Sequence, residues 1–272
     1  MAKYNRTSEV LSFSRIHLSL DGRVEDLLQS YKSAVPFPHH VFDNLFPGEM
    51  LDSLVDELPP LSSDKWVHER HEQLIKSNLR SATDLGDHAF HFASVLHSAG
   101  FLYFISEITG VRALLPDPYL TGAGYHIVPE GGKFDVHADR NADHNSGLER
   151  RLVMLIYLNK AWRPEFGGQL ELWNMDGTRC EKVIEPIFNR TVIFEIGDKN
   201  FHAVRPVAKG LAFPRRSFAV YFHTVGKNLV MHNSLYAPKI FQDKESLFRR
   251  ILRDTAPPVL VRALKSLKSP RY

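Results

Sequence analysis

Cysteine is almost missing from this chain: Cys180 is the only one in 272 residues. A lone thiol has no partner within the chain, so no disulfide framework holds the fold, and a reduced, cytoplasmic setting is expected. Long apolar runs are missing too. No stretch approaches the roughly 18 uninterrupted apolar residues that a membrane-spanning helix needs. Residues 1–21 scatter charged side chains where a signal peptide would carry an apolar block. Charge of one sign is also scarce: 34 Lys and Arg against 31 Asp and Glu leave a formal +3, too small an excess to imply a nucleic-acid partner. Only residues 243–272 are locally basic, and a solvated helix face is the simplest reading of them. There is no internal repeat and no low-complexity tract, which excludes solenoids and fibrous folds.

What remains is ordinary globular composition, 43% apolar and 24% charged, at a length that suits one large domain with terminal additions. Residues 36–42 read as an extended segment, because proline disfavours helix at the residue before it. Met50, Leu51, Leu54, Val55 and Leu58 then recur at helical spacing, and Pro59-Pro60 stops that helix. Residues 62–84 are polar and show no clear period; if this stretch is functional, Lys76, Asn78 and Arg80 would face a polar substrate. A second helix is expected over 87–109, weakened at Gly100 and ended by Gly110.

After Pro118 the texture changes to short β-rich runs separated by Gly, Pro, Asn and Asp. Strands are expected near 122–128, 133–137, 151–158, 169–173, 181–187, 190–196, 201–207 and 215–223, the pattern of a β-sandwich or barrel. In the last of these, alternation puts Arg215, Ser217, Ala219, Tyr221 and His223 on one face and Arg216, Phe218, Val220 and Phe222 on the other. A barrel with a polar interior, its outer face covered by N-terminal helices, satisfies both faces. From about residue 243 the spacing turns helical again.

Three features carry chemistry. His137 and Asp139 are two apart on an extended segment, so their side chains point the same way and can serve one metal ion. His202 starts a later strand and supplies a second imidazole. Two imidazoles and a carboxylate form the facial triad of non-haem Fe(II) sites, which leaves three adjacent positions open. Arg215 and Ser217 share a strand face, and a guanidinium beside a hydroxyl makes a clamp for a carboxylate.

Around these lie Tyr125-His126, Gly131-Gly132, the run from Arg151 to Tyr157-Leu158-Asn159, Trp162, Gly167-Gly168-Gln169-Leu170, and Phe201-His202 followed by Val204 and Pro206. In this order the motifs resemble the 2-oxoglutarate/Fe(II)-dependent oxygenase superfamily, within it the prolyl 4-hydroxylase-like branch, over roughly residues 119–225. The resemblance implies a double-stranded β-helix (jelly roll) as the 119–225 catalytic core, with residues 1–118 as lead-in and supporting helices and 226–272 as a basic helical extension. It implies iron on His137, Asp139 and His202. It implies 2-oxoglutarate held by Arg215, with Tyr157, Ser217 and Tyr125 as further contacts, O2 as oxidant and ascorbate as a further candidate. The implied reaction couples decarboxylation of 2-oxoglutarate, to succinate and CO2, with hydroxylation of a C–H bond. Its substrate would be an amino acid, a peptidyl residue or a natural-product intermediate. The loop before Arg215 is longer than in many relatives, so Arg216 stands as the alternative clamp. Two other readings share the barrel: a non-catalytic binding module, and a cupin-type metal enzyme that does not use 2-oxoglutarate.

Overall fold

The computed structural model describes residues 23–79, 82–117, 119–226 and 231–237. The basic segment 243–272, most of the expected C-terminal extension, and Arg80 lie outside the described residues.

Among the described residues, the N-terminal part supplies four α-helices and a hairpin. Helix α1 (Val24–Ser33) has Glu25 and Asp26 in its first turn and Lys32 in its last, the arrangement that suits the helix dipole. Strand β1 (His39–Asp43) follows the proline-rich segment, and α2 (Gly48–Asp56) buries Leu51 and Leu54. The polar stretch after Pro60 is a hairpin of β2 (Trp66–His71) and β3 (Leu74–Leu79). Its period of two is hidden because β2 is mostly exposed and offers no apolar face to read. The single helix expected over 87–109 is in fact two, α3 (Asp87–Leu96) and α4 (Ala99–Thr109), which bend by 52° at their junction. The break falls at His97-Ser98 rather than Gly100, because the Ser98 hydroxyl accepts the Phe101 N–H at 3.3 Å and caps a new helix. Gly110, at φ 76°, ends α4 as expected. No single helix among the described residues is long and apolar enough to cross a membrane.

The eight expected strands are all present, as β4 (Gly124–Val128), β5 (Phe134–Ala138), β6 (Glu149–Tyr157), β7 (Leu170–Trp173), β8 (Cys180–Ile184), β9 (Arg190–Glu195), β10 (His202–Val204) and β11 (Arg215–Thr224). A short β12 (Leu235–Tyr236) pairs with β5. Together they form one antiparallel sheet in the order β1-β9-β6-β11-β4-β3-β5-β10-β7-β8, with β2 on β3 and β12 on β5 outside that path. The sheet curls into a jelly-roll-like core.

The two faces of β11 divide as the alternation requires. Phe218, Val220 and Phe222 join Leu152, Met154 and Ile156 of β6 in the outer core, under Phe92, Phe101 and Phe104 of α3 and α4. Phe92 meets Phe218 edge-on at 5.4 Å. The other face lines a cavity, together with inward residues of β3, β4, β5, β6, β7, β9 and β10. The helices thus brace the sheet from outside while its concave side stays open for chemistry.

Candidate active site

The cavity measures about 390 Å³ and contains His137, Asp139, His202, Arg215 and Ser217 in its wall. His137 on β5 and His202 on β10 are directly paired across the two strands. Asp139 lies one residue past the end of β5. Its Oδ1 is 3.4 Å from His137 Nε2 and 3.8 Å from His202 Nε2. The three ligand-type atoms all fall within 4.8 Å of one another, a set able to hold one metal ion.

Each imidazole is oriented by its own strand. His137 Nδ1 donates to the Asp135 carbonyl at 2.8 Å, and His202 Nδ1 to the Asn200 carbonyl at 3.2 Å. With Nδ1 carrying the proton, Nε2 keeps its lone pair on the side where a metal would bind. His137 Nε2 is buried and makes no hydrogen bond to protein. Burial, and then the neighbouring His137, push His202 down to about 4, so it stays a neutral donor at physiological pH. Burial pushes the Asp139 carboxyl up, but His202 and His137 beside it outweigh that and hold it well below the usual carboxylate range. Two neutral nitrogens and a carboxylate are the donor set that suits divalent iron.

Of the two candidate arginines, Arg215 is the one that faces the cavity. Its side chain is buried, with Nε donating to the Gly168 carbonyl at 2.8 Å and a terminal nitrogen 3.4 Å from Ser217 Oγ. Its guanidinium lies 4.9 Å from the centre of the Tyr157 ring. No carboxylate among the described residues pairs with it. A buried cation without an anion is costly, so this pocket is built to receive one. Gly168 makes room for it. At φ +68°, a Cβ there would stand 3.0 Å from Arg215 Cδ. Arg216 is turned away and serves through its backbone, which Asn159 grips from both sides: its N–H donates to Asn159 Oδ1 at 2.6 Å, and its carbonyl accepts from Asn159 Nδ2 at 2.9 Å.

Of the other expected contacts, Tyr157 is buried under Arg215, and its hydroxyl makes no hydrogen bond to protein. Tyr125 does not belong to the site. Its hydroxyl donates to the Leu54 carbonyl at 2.7 Å and lies 3.0 Å from Glu57 Oε1, and its ring stands edge-on to Phe218 at 5.2 Å. Alternation along β4 explains the correction: Tyr125 faces the helices, and its neighbour His126 faces the cavity. Arg151 is an ion-pair residue, 2.7 Å from Glu195.

Sequence reasoning missed several wall residues. Arg150 is buried, donates to the Thr121 carbonyl and lies 4.1 Å from the centre of the Tyr221 ring. Phe134 stacks on His137 at 3.5 Å between ring centres, with Tyr236 of β12 outside it. Lys76 and Asn78, read only as residues that would face a polar substrate if 62–84 were functional, do line the cavity. Phe134 was not legible, because three residues from His137 on a regular strand it would face the other way, and the register irregularity between β5 and β10 is invisible in the sequence; Tyr236 was not, because nothing in a two-residue strand announces its pairing.

Residues 123–223 match the family model of the 2OG-Fe(II) oxygenase superfamily. The chain is 29% identical over 181 residues to mouse (Mus musculus) prolyl 3-hydroxylase OGFOD1, an alignment covering 63% of this chain and 30% of that protein. The chain therefore spans about a third of the length of this relative. The fold is similar to a prolyl-4-hydroxylase from Pseudomonas putida, at TM-score 0.53 and 17% identity, over 75% of this chain and all of that one. It is likewise similar to a prolyl hydroxylase from Trichoplax adhaerens, solved with a peptide fragment of the hypoxia inducible factor oxygen degradation domain. There the TM-score is 0.54 and the identity 16%, over 76% of this chain and 92% of that one. Residues 123–223 thus resemble a 2OG-Fe(II) oxygenase domain, on a fold shared with these prolyl hydroxylases.

Proposed function

We propose that this chain is an Fe(II)/2-oxoglutarate-dependent dioxygenase that hydroxylates a C–H bond of a prolyl or other amino-acid residue. The observation that carries the reading is one cavity holding both halves of the co-substrate's needs. A two-histidine, one-carboxylate cluster stands in one part of its wall, and a buried, anion-free Arg215 in another.

His137, Asp139 and His202 would hold the iron. When bound, iron with 2-oxoglutarate and O2 supplies the oxidising chemistry, and succinate, CO2 and a hydroxylated product result. The chain's own residues do the positioning. The Asp135 and Asn200 carbonyls fix both imidazoles with Nε2 inward. Arg215 and Ser217 would take the distal carboxylate of 2-oxoglutarate, with Tyr157 beneath the guanidinium. Apolar residues such as Val153, Leu155 and Leu170 line the cavity between these groups and limit water there. Support for an amino-acid substrate comes from the prolyl 3-hydroxylase relative.

The test is an anaerobic titration of the purified protein with Fe(II) and 2-oxoglutarate, followed by the weak visible charge-transfer band of the chelate. A band that appears in wild type and is lost in His202→Ala supports the reading. Iron bound without a band points to a metal enzyme of another kind, and neither iron nor band to a silent barrel.

A further inference from the structure

Lys76 lines the same cavity as Arg215, Ser217 and the His137-Asp139-His202 cluster and has no role in the reading above. Strand β3 pairs with β4 through Asn78 to His126 and Ser77 to Ile127, which brings Lys76 level with Val128. Val128 is in turn the direct partner of Arg215 on β11. Lys76, Val128 and Arg215 therefore form one row across three adjacent strands, and all three face the cavity. Two strand spacings put the backbones of the two cations about 10 Å apart. Both side chains are long enough to converge above the short valine between them.

Three observations show where the ammonium works. Lys76 Nζ lies 5.5 Å from the centre of the Phe134 ring, and Phe134 stacks on His137. The ammonium thus lies on the ring that backs His137, while its backbone shares a row with Arg215. Its one ion-pair partner among the described residues is Glu69, at a long 3.7 Å with the acid more than a third exposed, a pair of little worth by itself. His126, opposite Asn78 and Ser217, is pushed down to about 3, by burial first and then by Lys76, with Arg215 adding to it. Both cations act on the same patch of wall.

The wall carries Lys76, Arg140, Arg150 and Arg215 against Glu69 and Asp139. Arg150 is engaged by the Thr121 carbonyl and the Tyr221 ring. Arg140 lies beyond the end of β5, outside the row, so Lys76 is the cation best placed to share an anionic ligand with Arg215. We infer that Lys76 is a second cation of the co-substrate site, binding the same dicarboxylate that Arg215 clamps. This rests on the 2-oxoglutarate reading above and adds to it a strand outside the Arg-Ser motif.

The experiment measures the Kd for 2-oxoglutarate from the charge-transfer band, anaerobically with Fe(II), in wild type, Lys76→Ala, Lys76→Arg and Glu69→Gln. A charge-assisted contact predicts roughly tenfold weaker binding in Lys76→Ala. Lys76→Arg should recover most of the affinity. Glu69→Gln, which frees the ammonium from its competitor, should tighten binding about twofold. Iron affinity without 2-oxoglutarate should stay at the wild-type value in all three. A wild-type Kd in Lys76→Ala overturns this inference alone and hands Lys76 to the prime substrate. An equal loss of iron affinity in Lys76→Ala also overturns it, since the effect is then on the fold of the site. No band in wild type overturns this inference together with the function it rests on.

Discussion

His137 and His202 stand directly opposite each other on antiparallel strands, with ring centres 4.3 Å apart. Each donates Nδ1 to the carbonyl two residues before it in the chain, Asp135 within β5 and Asn200 just ahead of β10. The same local device, used twice, turns both Nε2 atoms toward Asp139. The arrangement depends on register. A slip of one residue in either strand would carry one imidazole to the opposite face of the sheet and dissolve the cluster. Hydrogen bonding of β5 and β10, not loop flexibility, therefore sets the ligand geometry.

Asp139→Ala should abolish the iron-dependent band and the turnover while leaving the barrel standing. Asp139 lies past the end of β5 and takes no part in the ladder there, so its loss removes a ligand and not a structural contact. Far-UV circular dichroism should match wild type while iron content falls. Hydroxylation retained in this variant would remove Asp139 from the triad.

Arg215 and Arg216 separate cleanly. Arg215→Ala should weaken 2-oxoglutarate binding by on the order of 100-fold, the scale for loss of a buried charged hydrogen-bonding partner. Arg216→Ala should change it less than threefold, because Asn159 holds the Arg216 backbone and the substitution leaves that backbone in place. Titration of both variants decides it. Turnover of a substrate that continues in Arg215→Ala without any need for 2-oxoglutarate would favour a cupin-type metal enzyme instead.

What was legible in the sequence follows from how far apart the cooperating residues lie. His137, Arg215 and Ser217 sit within strands, and Asp139 one residue past its strand, where alternation can be read from a few residues, so their common inward direction was readable. The division of β11 into a polar and an apolar face announced both the cavity and the helices that cover the other side. The pairing of β3 with β4 was not readable, because β2 and β3 show no amphipathic period, so Lys76 and Asn78 could be named as substrate-facing candidates but not as neighbours of Val128 and His126. The break between α3 and α4 was missed, because the one helix expected there was weakened only at Gly100, whereas the cap at Ser98 starts a new helix. Tyr125 was misread because adjacency to His126 was taken as a shared role, whereas neighbours on a strand face opposite ways.

Tyr125→Phe tests that last point. The hydroxyl ties β4 to the end of α2 through the Leu54 carbonyl and lies close to Glu57. Glu57 in turn caps α3 by accepting the His88 N–H at 3.0 Å, with the Ala89 N–H beside it. Removing the hydroxyl should cost about 1–2 kcal/mol of stability, since the buried Leu54 carbonyl and Glu57 lose a donor. Urea unfolding should show the loss, and the Kd for 2-oxoglutarate should not move. A weakened Kd with unchanged stability would return Tyr125 to the co-substrate site.

Stability should fall on mild acidification in a way that His39 helps to set. The imidazole is buried between Phe37, to whose carbonyl Nδ1 donates at 2.8 Å, and Lys182, whose ammonium donates to Nε2 at 2.8 Å. With both ring nitrogens engaged as in the neutral form, burial first, and then the Lys182 charge, push His39 from 6.5 down to about 4. Below pH 6.5 the unfolded chain takes up a proton that the folded chain refuses until about pH 4. The stabilisation present at neutral pH is thus lost as the pH falls through that window. His202 and His126 are lowered in the same sense and add to the slope, so the comparison must be between variants. His39→Gln keeps a donor for the Phe37 carbonyl and an acceptor for Lys182 but does not titrate. Its urea midpoint should therefore drop less between pH 7 and pH 4.5 than that of wild type. An equal drop in both proteins would mean that protonation of His39 is not coupled to folding and that the other buried histidines carry the whole effect.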